Sequence, residues 1–249
     1  MKAKILLIIE GDVEEVRILG NHTHGLLKLI DADYEIVVFS NPIYELYEAY
    51  KNGEYDDIVA YLRHFKGLNI ENDKLSKNLF SAIYLIFDFE PHYQKYSDND
   101  IIDILKVFSN ETENGKIYIN YPMVEAFYHL KGLPDNEYDT RVIKLPLKNG
   151  KEYKKLVNSE TAIQKTRMTD KILELIILQN FVKARKITEC CNMEIDYETV
   201  LKKQLELKNT SNQLYVLSTF PLMIIDYNQD ILTSIEKSVD ENYKYKISD

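Results

Sequence analysis

The 249-residue chain contains no tryptophan and only two cysteines, Cys190 and Cys191. Adjacent cysteines do not form an ordinary structural bridge, so the chain has no disulfide framework and suits a reducing compartment. No stretch approaches the roughly 18 apolar residues of a membrane-crossing helix. The apolar run that follows Met1-Lys2-Ala3-Lys4 ends at Glu10, too short for the core of a secretion signal. A cytoplasmic protein with no membrane partner is therefore expected. A Gly-x-x-x-x-Gly-Lys-Ser/Thr phosphate loop and a Gly-x-Ser-x-Gly nucleophile motif are both missing. His22 and His24 have no third ligand nearby, which argues against zinc, and the adjacent cysteines read as buried apolar filling. Asn110-Glu111-Thr112 is a glycosylation sequon that a cytoplasmic protein does not use.

Positive charge is also short: the formal net charge is −9. Neutralisation of phosphates dominates nucleic-acid affinity, so the overall balance argues against a chain that coats DNA or RNA by itself. It leaves open an enzyme whose bound metal ions supply the positive charge.

Hydrophobic residues make up 45% and charged residues 29% of the chain, the range of a packed globular protein. Ile5 to Ile9, Tyr34 to Phe39, Ala82 to Phe87 and Lys116 to Ile119 read as strands, the first and third as runs covered on both faces. Between them, helices are predicted over 12–30 (with an irregularity at Gly20 to Gly25), 43–51, 56–65 and 101–108, the last capped by Ser97 or Asp98. A further helix is predicted from Pro122 to about Leu130, with proline in the first turn. This alternation predicts an α/β fold, a parallel sheet with helices on its faces. From about residue 150 only helical periods remain: 171–188 capped by Thr169-Asp170, 197–207, and a stretch around 211–217, with 220–227 readable as strand or helix. The expected division is a domain over 1–149 and a mainly helical C-terminal region over 150–249.

Ligands of such sheets sit beyond the carboxyl ends of the strands, and acidic residues collect there. Glu10 ends the first run, Gly11 permits a tight turn, and Glu14 falls in the first helical turn, from which it can point back toward Glu10. Converging carboxylates repel, and a divalent cation is a usual remedy; helix-dipole preference for first-turn acids is the plainer alternative. Asp88-Phe89-Glu90 follows the third run. In an extended segment the two carboxylates share a side and can hold metal; a charged loop is the alternative. Glu125 and His129 lie four apart in Asn120-Tyr121-Pro122-Met123-Val124-Glu125-Ala126-Phe127-Tyr128-His129. They read either as a metal ligand with its supporting residue or as an exposed pair on an amphipathic helix.

Glu10-Gly11-x-x-Glu14, Asp88-x-Glu90 and the Asn120-x-Pro122-x-x-Glu125 helix start resemble the Toprim domain, and more narrowly the Toprim nucleases of phage defence, of the overcoming-lysogenization-defect and RloB-like abortive-infection types. The resemblance covers roughly residues 4 to 131. It implies a Toprim-like sheet with a C-terminal extension and an Mg²⁺- or Mn²⁺-dependent nuclease acting on DNA or a structured RNA such as tRNA. Glu10, Asp88 and Glu90 would be catalytic, and Glu10, Glu14, Asp88, Glu90 and Glu125 would hold metal. The family usually has Asp-x-Asp where this chain has Asp88-x-Glu90, and it tends to use a later basic residue, for which Lys144 and Lys151 are available. The resemblance also implies an ATPase as a separate polypeptide and a homo-oligomer as partners. The competing expectation is a non-catalytic Toprim-like interaction module or regulatory subunit.

Overall fold

A computed structural model describes residues 4–53, 55, 57–65, 68, 70–71, 74–147, 150–189 and 194–238. The chain divides into two compact units: residues 1–17 with 31–119, and residues 18–30 with 120–249. The division thus falls at Ile119/Asn120 rather than near residue 150, where the hydrophobic period changes.

The first unit is α/β. Its sheet is ordered β2-β1-β3-β5-β4, with β1 (Lys4–Ile9), β2 (Asp33–Val38), β3 (Ala82–Asp88), β4 (Ser109–Asn110) and β5 (Gly115–Asn120). β1 pairs in parallel with both β2 and β3, and β4 pairs antiparallel with β5. The sheet is mixed and mostly parallel. Ile5 to Ile9 are fully buried and every residue of β3 is buried, as expected of central strands covered on both faces. β2, an edge strand, buries only Val37. Helices α2 (Ile43–Lys51), α3 (Ile58–His64) and α4 (Asp98–Val107) connect the strands. Asp57 caps α3 by accepting from Ala60 N–H, and Ser97 caps α4 by accepting from Asp100 N–H, each satisfying an orphan donor of the first turn.

The helix predicted over 12–30 is much shorter: α1 spans Glu14–Leu19. Gly20 and Gly25 adopt φ values of 66° and 74°, and a Cβ at either would lie 2.2–2.5 Å from backbone oxygens. The chain turns there, with Asn21 and His24 bridged, and resumes as a 3-10 turn over Leu26–Leu29.

The second unit contains α5 (Lys151–Glu160), α6 (Asp170–Thr188), α7 (Tyr197–Ser211), α8 (Leu222–Tyr227) and α9 (Asp230–Ser238). A two-stranded antiparallel sheet joins β6 (Val142–Lys144) to β7 (Gln213–Tyr215). The helical stretch expected around 211–217 is therefore a strand: Asn212 takes the left-handed conformation that ends α7, and Leu214 is buried against β6. The helix expected from Pro122 is a five-residue 3-10 turn, Val124–Tyr128, buried along its whole length. α6 packs against α7, α8 and α9 and is capped by Thr169. Its buried face includes Gln179, Asn180 and Lys183. Asn180 Oδ1 accepts from Tyr138 OH and from Ser218 N–H, Gln179 exchanges two hydrogen bonds with the Asp135 backbone, and Lys183 donates to the carbonyls of Tyr138 and Arg141. These bonds satisfy the buried polar groups and pin the 129–141 loop to α6. Cys190 and Cys191 lie outside the described residues. Among the described residues no helix is long and apolar enough to cross a membrane.

Candidate functional site at the carboxyl ends of the central strands

The order β2-β1-β3 sends the first connection to one side of β1 and the next to the other. The crevice between the carboxyl ends of β1 and β3 is therefore a topological switch point, where open α/β sheets bind ligands. Glu10 and Asp88 stand at these two ends. Glu10 N–H donates to the Ile86 carbonyl, and Glu10 Oε2 accepts from Asp88 N–H at 2.9 Å. The Glu10 carboxylate is thus one hydrogen bond from the main chain of Asp88. Asp88 is 6% exposed at the end of a fully buried strand, so its backbone is rigidly held.

Beyond Asp88 the extended backbone ends. Phe89 is fully buried and its carbonyl accepts from Tyr44 OH at 2.8 Å, while Glu90 adopts φ 39°. The alternation that would put the Asp88 and Glu90 carboxylates on one side applies only to extended chain, so it does not carry past Phe89. Pro91 follows Glu90 and has no N–H with which to continue a strand ladder.

Glu14 pairs within its own helix. Both its carboxylate oxygens accept from Arg17 Nη1 at 2.9 Å. Its neighbour Glu15 makes the return contact instead: it is 5% exposed, and its Oε1 accepts from Gly11 N–H at 3.2 Å. A Cβ at Gly11 would lie 2.6 Å from Glu15 Oε2, so glycine is what lets this carboxylate close on the turn. The sequence motifs single out Glu14 and pass over Glu15. The signal was a glycine four residues before a first-turn acid, a spacing that lets a carboxylate satisfy an N–H ahead of the helix.

Glu125 belongs to the second unit. It is 2% exposed, and Lys154 Nζ lies 3.1 Å from its Oε1. His129, 1% exposed, has Nδ1 3.0 Å from Tyr153 OH and Nε2 2.8 Å from Glu160. A carboxylate can only accept from a neutral imidazole, so these partners fix the tautomer: Nε2–H donates to Glu160 and Nδ1 accepts from Tyr153. Burial, aided by the positive charges of Arg141 and Lys131, lowers the His129 pKa against the raising effect of Glu160. The pair is therefore not an exposed couple on an amphipathic helix; both side chains are buried and each has its own partner. Lys144 and Lys151 are both exposed.

The donors at the β1/β3 mouth are hard carboxylate oxygens, the type that Mg²⁺ and Mn²⁺ prefer. Among the described residues, no three His, Cys, Asp or Glu side chains are gathered into a ready metal-binding group. Comparison with protein-family models, with curated proteins and with solved structures found no match.

Proposed function

We propose that the protein is a metal-dependent phosphodiester hydrolase acting on nucleic acid, with Glu10 and Asp88 at its centre. The observation that supports this best is the hydrogen bond from Asp88 N–H to Glu10 Oε2 across adjacent parallel strand ends, at the switch point where α/β sheets bind ligands.

The chemistry of the donors fits Mg²⁺ or Mn²⁺, with Glu10 and Asp88 as the first holders and Glu14 and Glu90 as further carboxylates of the same proposal. Mg²⁺ retains several waters and is bound through one or two carboxylates plus substrate phosphates, so a preassembled cage is not required. When bound, such ions supply an activated water and neutralise charge on the leaving oxygen. The chain's own part is positioning. β3 holds Asp88 rigid, Asp88 N–H orients the Glu10 carboxylate, Glu15 closes the Gly11 turn, and Tyr44 fixes the Phe89 carbonyl. Glu14 is held by Arg17 beside this turn. A role in phage defence, with a separate ATPase, is part of the same proposal and is supported only by the motif resemblance.

A second reading, a non-catalytic binding module or regulatory subunit, is favoured by the Glu14–Arg17 pairing. Two measurements separate the readings. Binding to the native state alone raises apparent stability by mass action, so the hydrolase reading expects thermal stabilisation by Mn²⁺ that is lost in Asp88→Ala. It also expects cleavage of single-stranded, duplex or tRNA substrates that Asp88→Ala and Glu10→Ala abolish without unfolding. Cleavage that survives both substitutions, or excess chelator, would refute the mechanism. Absent cleavage together with absent metal stabilisation would favour the module.

A further inference from the structure

We propose that the exposed face of α5, carrying Lys151, Lys154 and Lys155, is a docking surface for the phosphate backbone of a nucleic acid. Charge is distributed very unevenly along this acidic chain. Between Arg141 and Lys171 there are nine basic residues and three acidic ones, a net +6. The whole chain carries −9, so the other 218 residues carry −15.

Three of these basic residues lie on α5, which presents them outward by necessity. Tyr153 and Val157 are fully buried on one side of α5. Lys151, Lys154 and Lys155 stand at i, i+3 and i+4, one face of a helix, roughly opposite the buried pair at 100° per residue. All three are exposed, as is Asn158 one turn further on. Elsewhere the surface lysines tend to find acids: Lys4 with Glu35, Lys28 with Asp170, Lys95 with Glu48, Lys186 with Asp139, Lys202 with Glu198. On α5, Lys154 reaches Glu125, but among the described residues Lys151 and Lys155 have no carboxylate partner. In a chain with an excess of carboxylates, two unneutralised cations on one helix face call for an external polyanion.

Nucleic acid fits this face better than a lipid surface. Interfacial helices bury a free apolar face in the headgroup region. The apolar face of α5 is already committed to the interior of its own unit, and none of the exposed large hydrophobic residues lies on it. Lys151 and Lys155 are about 6 Å apart along the helix axis, about two phosphate steps of a nucleic-acid strand.

Binding of the full chain to labelled 20-nucleotide single-stranded and duplex probes, followed by anisotropy in EDTA from 50 to 200 mM salt, tests this directly. Wild type should bind with an affinity that falls steeply with salt. Lys151→Glu/Lys155→Glu should weaken binding about tenfold or more at 100 mM salt and reduce the log–log salt slope by about 1.4 to 1.8, two contacts' worth. Lys151→Gln/Lys155→Gln should act in the same direction with a smaller effect. Lys202→Glu/Lys208→Glu on α7, which reverses the same charge elsewhere, should leave binding near wild type. Equal binding by wild type and both α5 variants would overturn the assignment. So would equal losses in the α5 and α7 variants, or no binding by wild type. Binding to phosphatidylserine vesicles but not to the oligonucleotides, with the same sensitivity to the α5 changes, would overturn it in favour of a membrane. Because chelator is present throughout, loss of hydrolysis at the acidic mouth leaves this result untouched, and the two readings fail separately.

Discussion

Replacing Asp135 with alanine is expected to be among the most damaging single changes in the second unit. Asp135 accepts from Arg141 Nη1 and Lys131 N–H at 2.6 Å each and from Glu137 N–H at 3.0 Å, and the two ionic side chains are only 5% and 7% exposed. Burial by itself would raise the Asp135 pKa; Arg141 and the two backbone donors outweigh it and hold the carboxyl below its usual range. Removing the carboxylate leaves the buried guanidinium donating to the His129 carbonyl without its counter-charge. Breaking a buried pair in this way costs about 3–5 kcal/mol. In a unit of this size that is a drop in Tm of roughly 6–20 °C. Arg141→Met should cost less, because Asp135 keeps its two backbone donors. Asp135→Ala/Arg141→Met should be less destabilised than the sum of the singles, with a coupling of about 1–3 kcal/mol in a urea-denaturation double-mutant cycle. The sign with pH is also fixed: a depressed carboxyl contributes stability above its unfolded pKa and loses it as pH falls through the folded value, so the penalty of Asp135→Ala should shrink in acid. A loss below about 1 kcal/mol at pH 7, the range of an exposed pair, or strictly additive singles, would refute the picture of a buried, interdependent pair.

The buried neutral His129 makes a separate pH prediction. Its pKa is lowered on folding, so the unfolded chain takes up a proton that the native state refuses once pH falls below about 6.5. Stability should therefore be fully present above that value and decline as pH falls through it, by at most about 1.4 kcal/mol per pH unit; urea titrations at pH 8 and 5.5 should show the decline, and His129→Gln should flatten it. Gly11→Ala should push the Glu15 carboxylate away from Gly11 N–H and cost about 0.5–1.5 kcal/mol, one hydrogen bond's worth, read by thermal denaturation; a neutral substitution would mean that Glu15 does not close the turn. Asp88→Ala, by contrast, should leave stability near wild type, since one fewer carboxylate relieves repulsion at the mouth, while removing metal-dependent stabilisation and cleavage.

Much of the architecture could be read from local pattern. The runs Ile5 to Ile9 and Ala82 to Phe87 are apolar at every position because strands covered on both faces have no polar side. Ser97 and Thr169 announce their helices because a side-chain oxygen satisfies the first free N–H groups. The acidic mouth was legible for the same reason: Glu10 and Asp88 are the first charges after two buried strands, and the pairing of β1 with β3 brings their ends together. Side-chain direction was not. Choosing between Glu14 and Glu15 as the acid that closes the Gly11 turn depends on where α1 begins and on the position of Arg17, and the positive φ of Glu90 ends the extended alternation that runs through β3.

What the sequence by itself determined is the class of structure and the residues at the ends of its central strands, because burial period, caps and turn residues act over a few neighbouring positions. The tertiary structure decided the rest. Gln179, Asn180 and Lys183 are polar residues on the buried face of α6; they are buried because their partners, Asp135, Tyr138, Arg141 and Ser218, stand 38 to 45 residues away. Gln213 to Tyr215 is a strand because β6, some seventy residues earlier, offers it an edge. A buried polar group or an edge strand is stable only with its hydrogen-bond partner in place, and such partners are distributed by the fold and leave no mark on the local sequence.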